Sequence, residues 1–167
     1  NVYYIGKFGD LAIDFNGTWY YGKEQNYDQR IETSTELDNR NVSTESLQKN
    51  QMTALKIILS YPIWKGTFNI GSETTWTRTN GVYTNNEQQL LSSDTKIHES
   101  NVGGFAEYAL TFGHFKLEAG LRYEHINSDY YSLGVKDEDA SRTYHDWFPN
   151  ASLFWENNKY NLQLNYS

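Results

Sequence analysis

The stretch FKLEAGLRYEHI, residues 115–126, alternates strictly between apolar and polar side chains over most of its length. Phe115, Leu117 and Leu121 lie at odd-numbered positions, and the even-numbered positions carry lysine, glutamate and arginine. Because successive side chains of a β-strand point to opposite faces, this stretch predicts a ribbon with one apolar and one charged face. The apolar face must cover either a protein core or lipid, and the remaining sequence indicates which.

The same two-residue period recurs along the chain, and no segment shows a convincing helical period of 3.6. We predict the end of one strand at Val2–Ile5 and seven full strands after it. The seven are Asp10–Gly22, Gln51–Tyr61, Gly66–Arg78, Glu99–Phe112, Phe115–Ile126, Tyr144–Trp155 and Tyr160–Ser167. Pro149 lies inside the sixth and cannot donate a ladder hydrogen bond, which predicts a bulge or a late strand start there.

The connections between these strands alternate between long and short. The long ones are Lys23–Asn50, Thr79–His98 and Asn127–Thr143, and the short ones span two to four residues. Outer-membrane barrels show this asymmetry, with short turns at one end and long loops at the other. The predicted strands are about twice the usual ~5–6 residues and match the ~9–11 residues that cross a bilayer at a tilt. The sequence therefore predicts an all-β, antiparallel, up-and-down transmembrane β-barrel.

Aromatic residues make up 16% of the chain, although the mean hydropathy is only −0.76. They concentrate near the ends of the predicted strands, as in the two aromatic belts of a membrane barrel. Four lie toward the long loops, namely Trp19, Tyr21, Trp76 and Tyr123, and six flank the short turns, namely Tyr61, Trp64, Phe112, Phe115, Trp155 and Tyr160. The alternative is a soluble β-sandwich in which these rings cap the core or stack on sugars.

Composition and motifs exclude several functions. A net charge of −7 without a basic stripe argues against nucleic-acid binding, and the chain has no cysteine. The four histidines, His98, His114, His125 and His145, show no metal-ligand spacing. No catalytic motif or nucleotide-binding glycine pattern occurs, so we predict neither an enzyme nor a bound cofactor or metal.

Two stretches carry a resemblance to a known family. GHFKLEAGLRYEHINSDY and, after a polar segment, WFPNASLFWENNKYNLQLNYS resemble barrel strands of TonB-dependent outer-membrane receptors, within the Gram-negative outer-membrane β-barrel family. The resemblance implies a place in the outer membrane, contact with its lipid, and a share in energised uptake of a bulky, unidentified solute. It also implies a TonB-type energising partner, which acts through a plug domain in such receptors.

A receptor of this kind has about 22 strands around a plug. With seven to eight strands, residues 1–167 are expected to be a fragment of one barrel domain, without the plug. Two other functions stay open at this point. One is a small autonomous outer-membrane barrel with an adhesive or structural role, and the other is the soluble carbohydrate-binding sandwich.

The only candidate site consists of the polar side chains that alternate with the apolar ones along the predicted strands. In a barrel these side chains would line the lumen, where acids and bases on neighbouring strands can pair. The predicted wall consists of Asp14, Lys56, Glu73, Glu107, Lys116, Glu118, Arg122 and Glu124. A generic wet surface without solute selectivity is the interpretation that the sequence alone favours.

Overall fold

The computed structural model describes residues 1–33, 39–86 and 92–167, which form one eight-stranded sheet. Each strand pairs antiparallel with the next in chain order, from β1 to β8. The strands are β1 (Val2–Phe8), β2 (Leu11–Glu32), β3 (Arg40–Ile63), β4 (Gly66–Asn85), β5 (Ser93–Phe112), β6 (Phe115–Ser132), β7 (Val135–Glu156) and β8 (Asn161–Tyr166). The predicted up-and-down, all-β fold is confirmed.

The strands are longer than predicted, and the prediction of three long loops was wrong. β2 and β3 extend through most of Lys23–Asn50 and pair from Ala12↔Ser60 up to Glu32↔Arg40. β6 and β7 fill Asn127–Thr143 except for the two residues between them. The parts of the first two predicted loops at residues 34–38 and 87–91 lie outside the described residues.

The strand lengths exceed what a membrane requires. β3 has 24 residues, which is about 80 Å of extended chain at ~3.3 Å per residue. A bilayer core takes only ~9–11 residues of a strand tilted by ~45°. The sheet is therefore long enough to cross a membrane and to continue well beyond it on the side away from the short turns.

Tight turns close the other end of the sheet. Gly9 and Gly113 have φ angles of 62° and 58° in the turns after β1 and β5, where the left-handed conformation suits glycine. In the turn after β7, the Asn157 side-chain oxygen accepts hydrogen bonds from the backbone nitrogens of Lys159 and Tyr160, both at 2.8 Å. The structure has connections at 64–65, 113–114 and 157–160, which confirms the short connections predicted at Pro62–Lys65, Gly113–His114 and Glu156–Lys159.

Pro149 does not interrupt β7, so the expected bulge or late start at this residue was wrong. The Glu156 nitrogen donates to the His114 carbonyl at the β6 end of the ladder. Since donors alternate sides along a strand, the Pro149 nitrogen points away from β6, and no β6–β7 hydrogen bond is lost. The irregularity lies instead between Ser128 and Tyr130, where the β6–β7 register shifts.

The described residues contain a single layer and no buried hydrophobic side chain. The four residues on which the membrane interpretation depends are exposed by 38% (Leu55), 40% (Ile57), 42% (Leu117) and 44% (Leu121). A sandwich would cover these side chains with a second sheet, so the carbohydrate-binding sandwich is not supported. Within the described residues β1 and β8 do not pair with each other, so the sheet is open at both edges. In these same ranges, no helix has the length and apolar character needed to cross a membrane.

Candidate functional site

Cross-strand register divides the sheet into two chemically different faces. On one face, Ile13 lies opposite Leu59, Leu59 opposite Ile70, and the row continues through Ala106 to Leu121. Parallel rows nearer the turns also join aliphatic and aromatic side chains, with Leu110, Leu117, Leu153 and Leu164 in one of them. We call this the apolar face.

Aromatic rings bound the apolar face at both ends. Near the turns, the ring centroids of Phe115 and Trp155 lie 6.5 Å apart. Tyr123 lies eight residues along β6 from Phe115, and its ring centroid is 4.8 Å from that of Trp147. Amphipathic rings at two levels with aliphatic residues between them are the layout of a lipid-facing band.

The opposite face, here called the polar face, carries all eight predicted wall residues. Four of them form a connected chain across β3, β4 and β6. Lys56 Nζ lies 3.9 Å from Glu73 Oε2, and Arg122 Nη1 lies 3.5 Å from the same oxygen. Arg122 Nε also donates to Glu124 Oε1 at 2.5 Å. The arginine is thus shared between a carboxylate on its own strand and one on β4.

Gly103 leaves room for the contact between Arg122 and Glu73. It lies on β5, directly between Glu73 and Glu124 in the register. A Cβ atom at Gly103 would come within 3.0 Å of Arg122 Nη2 and 3.3 Å of its Cζ. With hydrogen there instead, the guanidinium lies across β5 and reaches a strand two positions away. Sequence reasoning missed this residue, although the Gly103–Gly104 pair inside a strand is a visible sign of close approach.

The other four wall residues are distributed along the polar face. Lys116 Nζ lies 2.7 Å from Glu118 Oε1, close to the turn between β5 and β6. The Ser152 hydroxyl donates to Glu118 at 3.5 Å. Within the described residues, Asp14 and Glu107 make no ion pair. Over all eight, five carboxylates face three cations, so the wall has an excess of negative charge.

Phe105 is an apolar exception on the polar face, as its position in the alternation of β5 predicts. Phe105 covers Gly71 on the neighbouring strand, where an added Cβ would meet its Cζ at 2.5 Å. A ring over a strand glycine fills the space that the missing side chain leaves and fixes local register. Phe105 is therefore part of the sheet's own packing.

Beyond the aromatic level, the strand extensions carry polar side chains on both faces. Lys136 on β7 contacts Asp129 on β6 at 3.0 Å and Glu138 at 3.4 Å. The hydrogen bond from Lys136 lowers the pKa of the Asp129 carboxyl, and the bond to Asp129 raises the pKa of Lys136. This pair joins β6 and β7 just past the register shift.

One antiparallel up-and-down sheet with an apolar face and a polar face fits the wall of an outer-membrane barrel. The model of the outer membrane protein beta-barrel family matches residues 7–167, and the chain belongs to that family. No curated protein matches the sequence. The predicted localisation in the cell outer membrane is confirmed at the level of the family.

Several solved structures share the fold. The ferric citrate transporter FecA, in its unliganded form, is 14% identical with a TM-score of 0.59 over 93% of this chain and 26% of its own. The ferric yersiniabactin uptake receptor FyuA from Yersinia pestis is 15% identical, also with a TM-score of 0.59, over 93% and 25%. FpvAI in its complex with pyocin S2 is 11% identical with a TM-score of 0.62, over 95% of this chain and 24% of its own.

The chain thus spans about a quarter of the length of these proteins. At this identity the likeness establishes the fold, and the resemblance to TonB-dependent receptor barrels is confirmed on that basis.

Proposed function

We propose that the chain is part of the wall of an energised outer-membrane receptor that takes up a bulky solute, with the polar face toward the lumen. The observation that carries this is the charged chain from Lys56 through Glu73 and Arg122 to Glu124. It lies on the face opposite the apolar rows and reaches from the membrane half of the sheet up to the aromatic level at Tyr123. An arginine or lysine facing hydrocarbon at the bilayer midplane would cost about 2–4 kcal/mol, and a carboxylate or a charge nearer the interface would cost less, so the polar face belongs toward water.

The ion pairs give this wall a fixed pattern of charge. Arg122 is about 29% exposed and is oriented by two carboxylates, so its free donors point in a defined direction. Planar guanidinium groups present several donors at once and suit bidentate recognition. A passing anionic group, or a polar plug, would meet an arginine that is held in place, whereas an unpaired lysine would be mobile.

The resemblance to TonB-dependent receptors supports the energised part of the proposal. In such receptors an inner-membrane partner acts through the plug, and both would be supplied outside residues 1–167. FecA and FyuA are named for ferric citrate and ferric yersiniabactin, and these solutes belong to those proteins. The solute of the present barrel is proposed only as bulky and polar. The family and the receptor neighbours support binding and transport over catalysis.

The test neutralises the central pair in the protein that carries this chain. The double variant Arg122→Gln/Glu124→Gln removes one positive and one negative charge, so the net charge is unchanged. We expect uptake of radiolabelled ferric citrate, or of whichever member of a panel of labelled bulky solutes the cells take up, to fall roughly fivefold to tenfold. A loss of about 1–1.4 kcal/mol of favourable contact gives this factor.

A matched control separates solute guidance from folding. Asp129→Asn/Lys136→Gln likewise neutralises one cation and one carboxylate and removes two ion pairs, but it lies beyond the aromatic level and has the opposite parity on β6. Its uptake should stay within experimental error of the parent, with equal amounts of both variants in the outer membrane. Unchanged uptake in Arg122→Gln/Glu124→Gln would leave the polar face as a generic wet surface. Uptake that persists after a protonophore collapses the inner-membrane potential would contradict the energised mechanism.

A further inference from the structure

Two histidines lie directly opposite each other on β6 and β7. His125 is paired with His145 in the register, one row beyond the pair of Tyr123 and Trp147. The two histidines are twenty residues apart in the sequence, a spacing that by itself indicates no metal site. The antiparallel register brings them side by side, which the sequence alone does not show. We call His125 and His145 the histidine pair.

The backbone ladder places the histidine pair where facing side chains approach most closely. The Glu156 nitrogen donates to the His114 carbonyl, so the even-numbered residues of β6 up to Ile126 form the hydrogen-bonded pairs with β7. The histidine pair is therefore a non-hydrogen-bonded pair, in which the Cα atoms are about 4.5 Å apart. The Cβ atoms of such a pair are about 4.5–5.5 Å apart. Two imidazoles at this separation can each direct one nitrogen at a shared ion, at the usual metal–nitrogen distance of about 2.0–2.1 Å.

Both imidazoles are available to a ligand. Within residues 1–33, 39–86 and 92–167, neither ring takes part in a hydrogen bond or an ion pair. The rows on either side are occupied by contacts of their own. The rings of Tyr123 and Trp147 lie 4.8 Å apart, and the Thr143 hydroxyl donates to Asn127 Oδ1 at 2.8 Å. One histidine is half-buried and the other is exposed, so the rings have room to turn toward each other between these two rows.

The histidine pair lies in water and in a negative local field. It is two residues beyond Tyr123 on the apolar face, which is about 5 Å along the membrane normal at ~3.3 Å per residue and a tilt of ~45°. The adjoining residues Glu124 and Asp146 lie opposite each other on the polar face. Among the described residues Asp146 has no cationic partner, and the whole chain carries a net charge of −7. Such a field raises the local concentration of cations.

We propose that the histidine pair chelates one late transition-metal ion, Cu²⁺ most tightly and Ni²⁺ or Zn²⁺ less so. Imidazole nitrogen suits these ions, and Cu²⁺ leads the affinity order for a given nitrogen site. The hard ions Ca²⁺ and Mg²⁺ prefer oxygen and are not expected to bind here. No group of three or more metal-ligating side chains occurs in the part of the chain that the structure describes, so water completes the coordination.

The bound ion would join β6 to β7 just before the register shift at Ser128, where the two strands continue beyond the membrane. A ligand that binds only the folded state stabilises that state, so the ion would hold the base of this hairpin together. The inference depends on the register of β6 and β7 and is independent of the uptake proposal.

The experiment titrates Cu²⁺ into the purified protein that carries this chain, held in detergent micelles and a non-coordinating buffer, with an affinity tag that lacks histidine. Calorimetry measures the affinity, and electron paramagnetic resonance counts the nitrogen ligands. The parent should bind one ion through two imidazole nitrogens. His125→Gln and His145→Gln should each weaken binding roughly a hundredfold, since a second ligand on the same scaffold adds a factor of about 10²–10⁴. Each single variant should also lose one nitrogen from the spectrum.

A matched control removes two histidines that do not face each other. His98 lies opposite Asp129, and His114 lies in the turn before β6. His98→Gln/His114→Gln should retain the parent's affinity and its two-nitrogen spectrum. Zn²⁺ gives a second readout without redox chemistry, because it should raise the unfolding temperature of the parent and leave that of His145→Gln unchanged. Each variant is first shown to have the parent's β-sheet content.

Three outcomes would overturn the proposal. Cu²⁺ affinity equal to that of the parent in His125→Gln or His145→Gln would mean that the two rings do not share an ion. An equal loss in His98→Gln/His114→Gln would indicate scattered binding to single histidines. Displacement of Cu²⁺ by an equal concentration of Ca²⁺ would indicate a carboxylate site. Uptake enters none of these measurements, so this proposal and the proposed function fail separately.

Discussion

The two halves of each long strand differ in chemistry, although the backbone ladder is the same in both. From Phe115 to Tyr123, β6 alternates between apolar and polar side chains, whereas from Glu124 to Ser132 polar residues occur on both faces. The hydrogen-bonded register runs on through both halves, apart from the shift at Ser128. Alternation therefore reports that the two faces meet different media, and its end marks the level at which both faces meet water.

The largest expected effect comes from a charge placed on the apolar face within the membrane half. Leu121→Arg puts a guanidinium six residues from the turn, on the face of Ala106 and Pro149. We expect the free energy of unfolding of the whole protein in lipid vesicles to fall by about 2–4 kcal/mol, because the charge must leave water or distort the bilayer.

The matched control for Leu121→Arg is Asn127→Arg, on the same strand and face but beyond the aromatic level. Asn127→Arg should lower the free energy of unfolding by about 0–1 kcal/mol, the range for a charge near the membrane–water interface. Denaturant unfolding followed by tryptophan fluorescence measures both. Equal costs would mean that the two halves meet the same medium, and the assignment of the apolar face to lipid would then fail.

A smaller effect separates the two faces inside the membrane half. Gly71→Ala would place a methyl group within 2.5 Å of Phe105 Cζ and 2.7 Å of the Ile57 carbonyl oxygen. Forcing these groups apart should lower the free energy of unfolding by about 1–3 kcal/mol. Gly104→Ala, on the next strand and the opposite face, meets nothing nearer than 4.0 Å and should change it by less than about 0.5 kcal/mol. A comparable loss of stability in Gly104→Ala would show that the replacement of a strand glycine, and not the ring over Gly71, lowers the free energy of unfolding.

The membrane half could be predicted from sequence and the extensions could not, for one physical reason. Lipid on one side and water on the other impose a two-residue period, and that period placed the strand through Leu117 and Leu121 correctly. Residues 127–143 meet water on both sides, so their side chains carry no such period and they were predicted to be a loop. The backbone can nevertheless continue its ladder there, because a hairpin needs only a compatible turn, which Leu133 and Gly134 supply with φ angles of 50° and 81°.

The candidate site shows the same division. Parity alone places Glu73, Arg122 and Glu124 on one face, and that required no register. The contact between Arg122 and Glu73 spans two strand spacings and depends on register and on the absence of a side chain at Gly103. Neither can be obtained from alternation, because a one-residue difference in any hairpin would move the arginine to another row.

The smallest expected effect lies in the extensions, at the Asp129–Lys136 pair. The pKa of Asp129 is lowered by its hydrogen bond from Lys136, so the ionised form is favoured in the folded state. A carboxyl with a lowered pKa contributes stability that is present above its unfolded pKa and is lost as the pH falls through the folded one. Acid titration followed by carboxyl-carbon NMR of the protein should therefore show Asp129 protonating below the ordinary aspartate range.

Replacing Lys136 with methionine should return the Asp129 pKa toward that ordinary range, and high salt should do so in part, because exposed charges are screened. The same salt should leave the Leu121→Arg penalty nearly unchanged, since that penalty arises from hydrocarbon that ions do not enter. A salt response of equal size at both sites would mean that Leu121 also faces water. The salt response of the exposed Asp129–Lys136 pair is therefore the reference with which the salt response at Leu121 is compared.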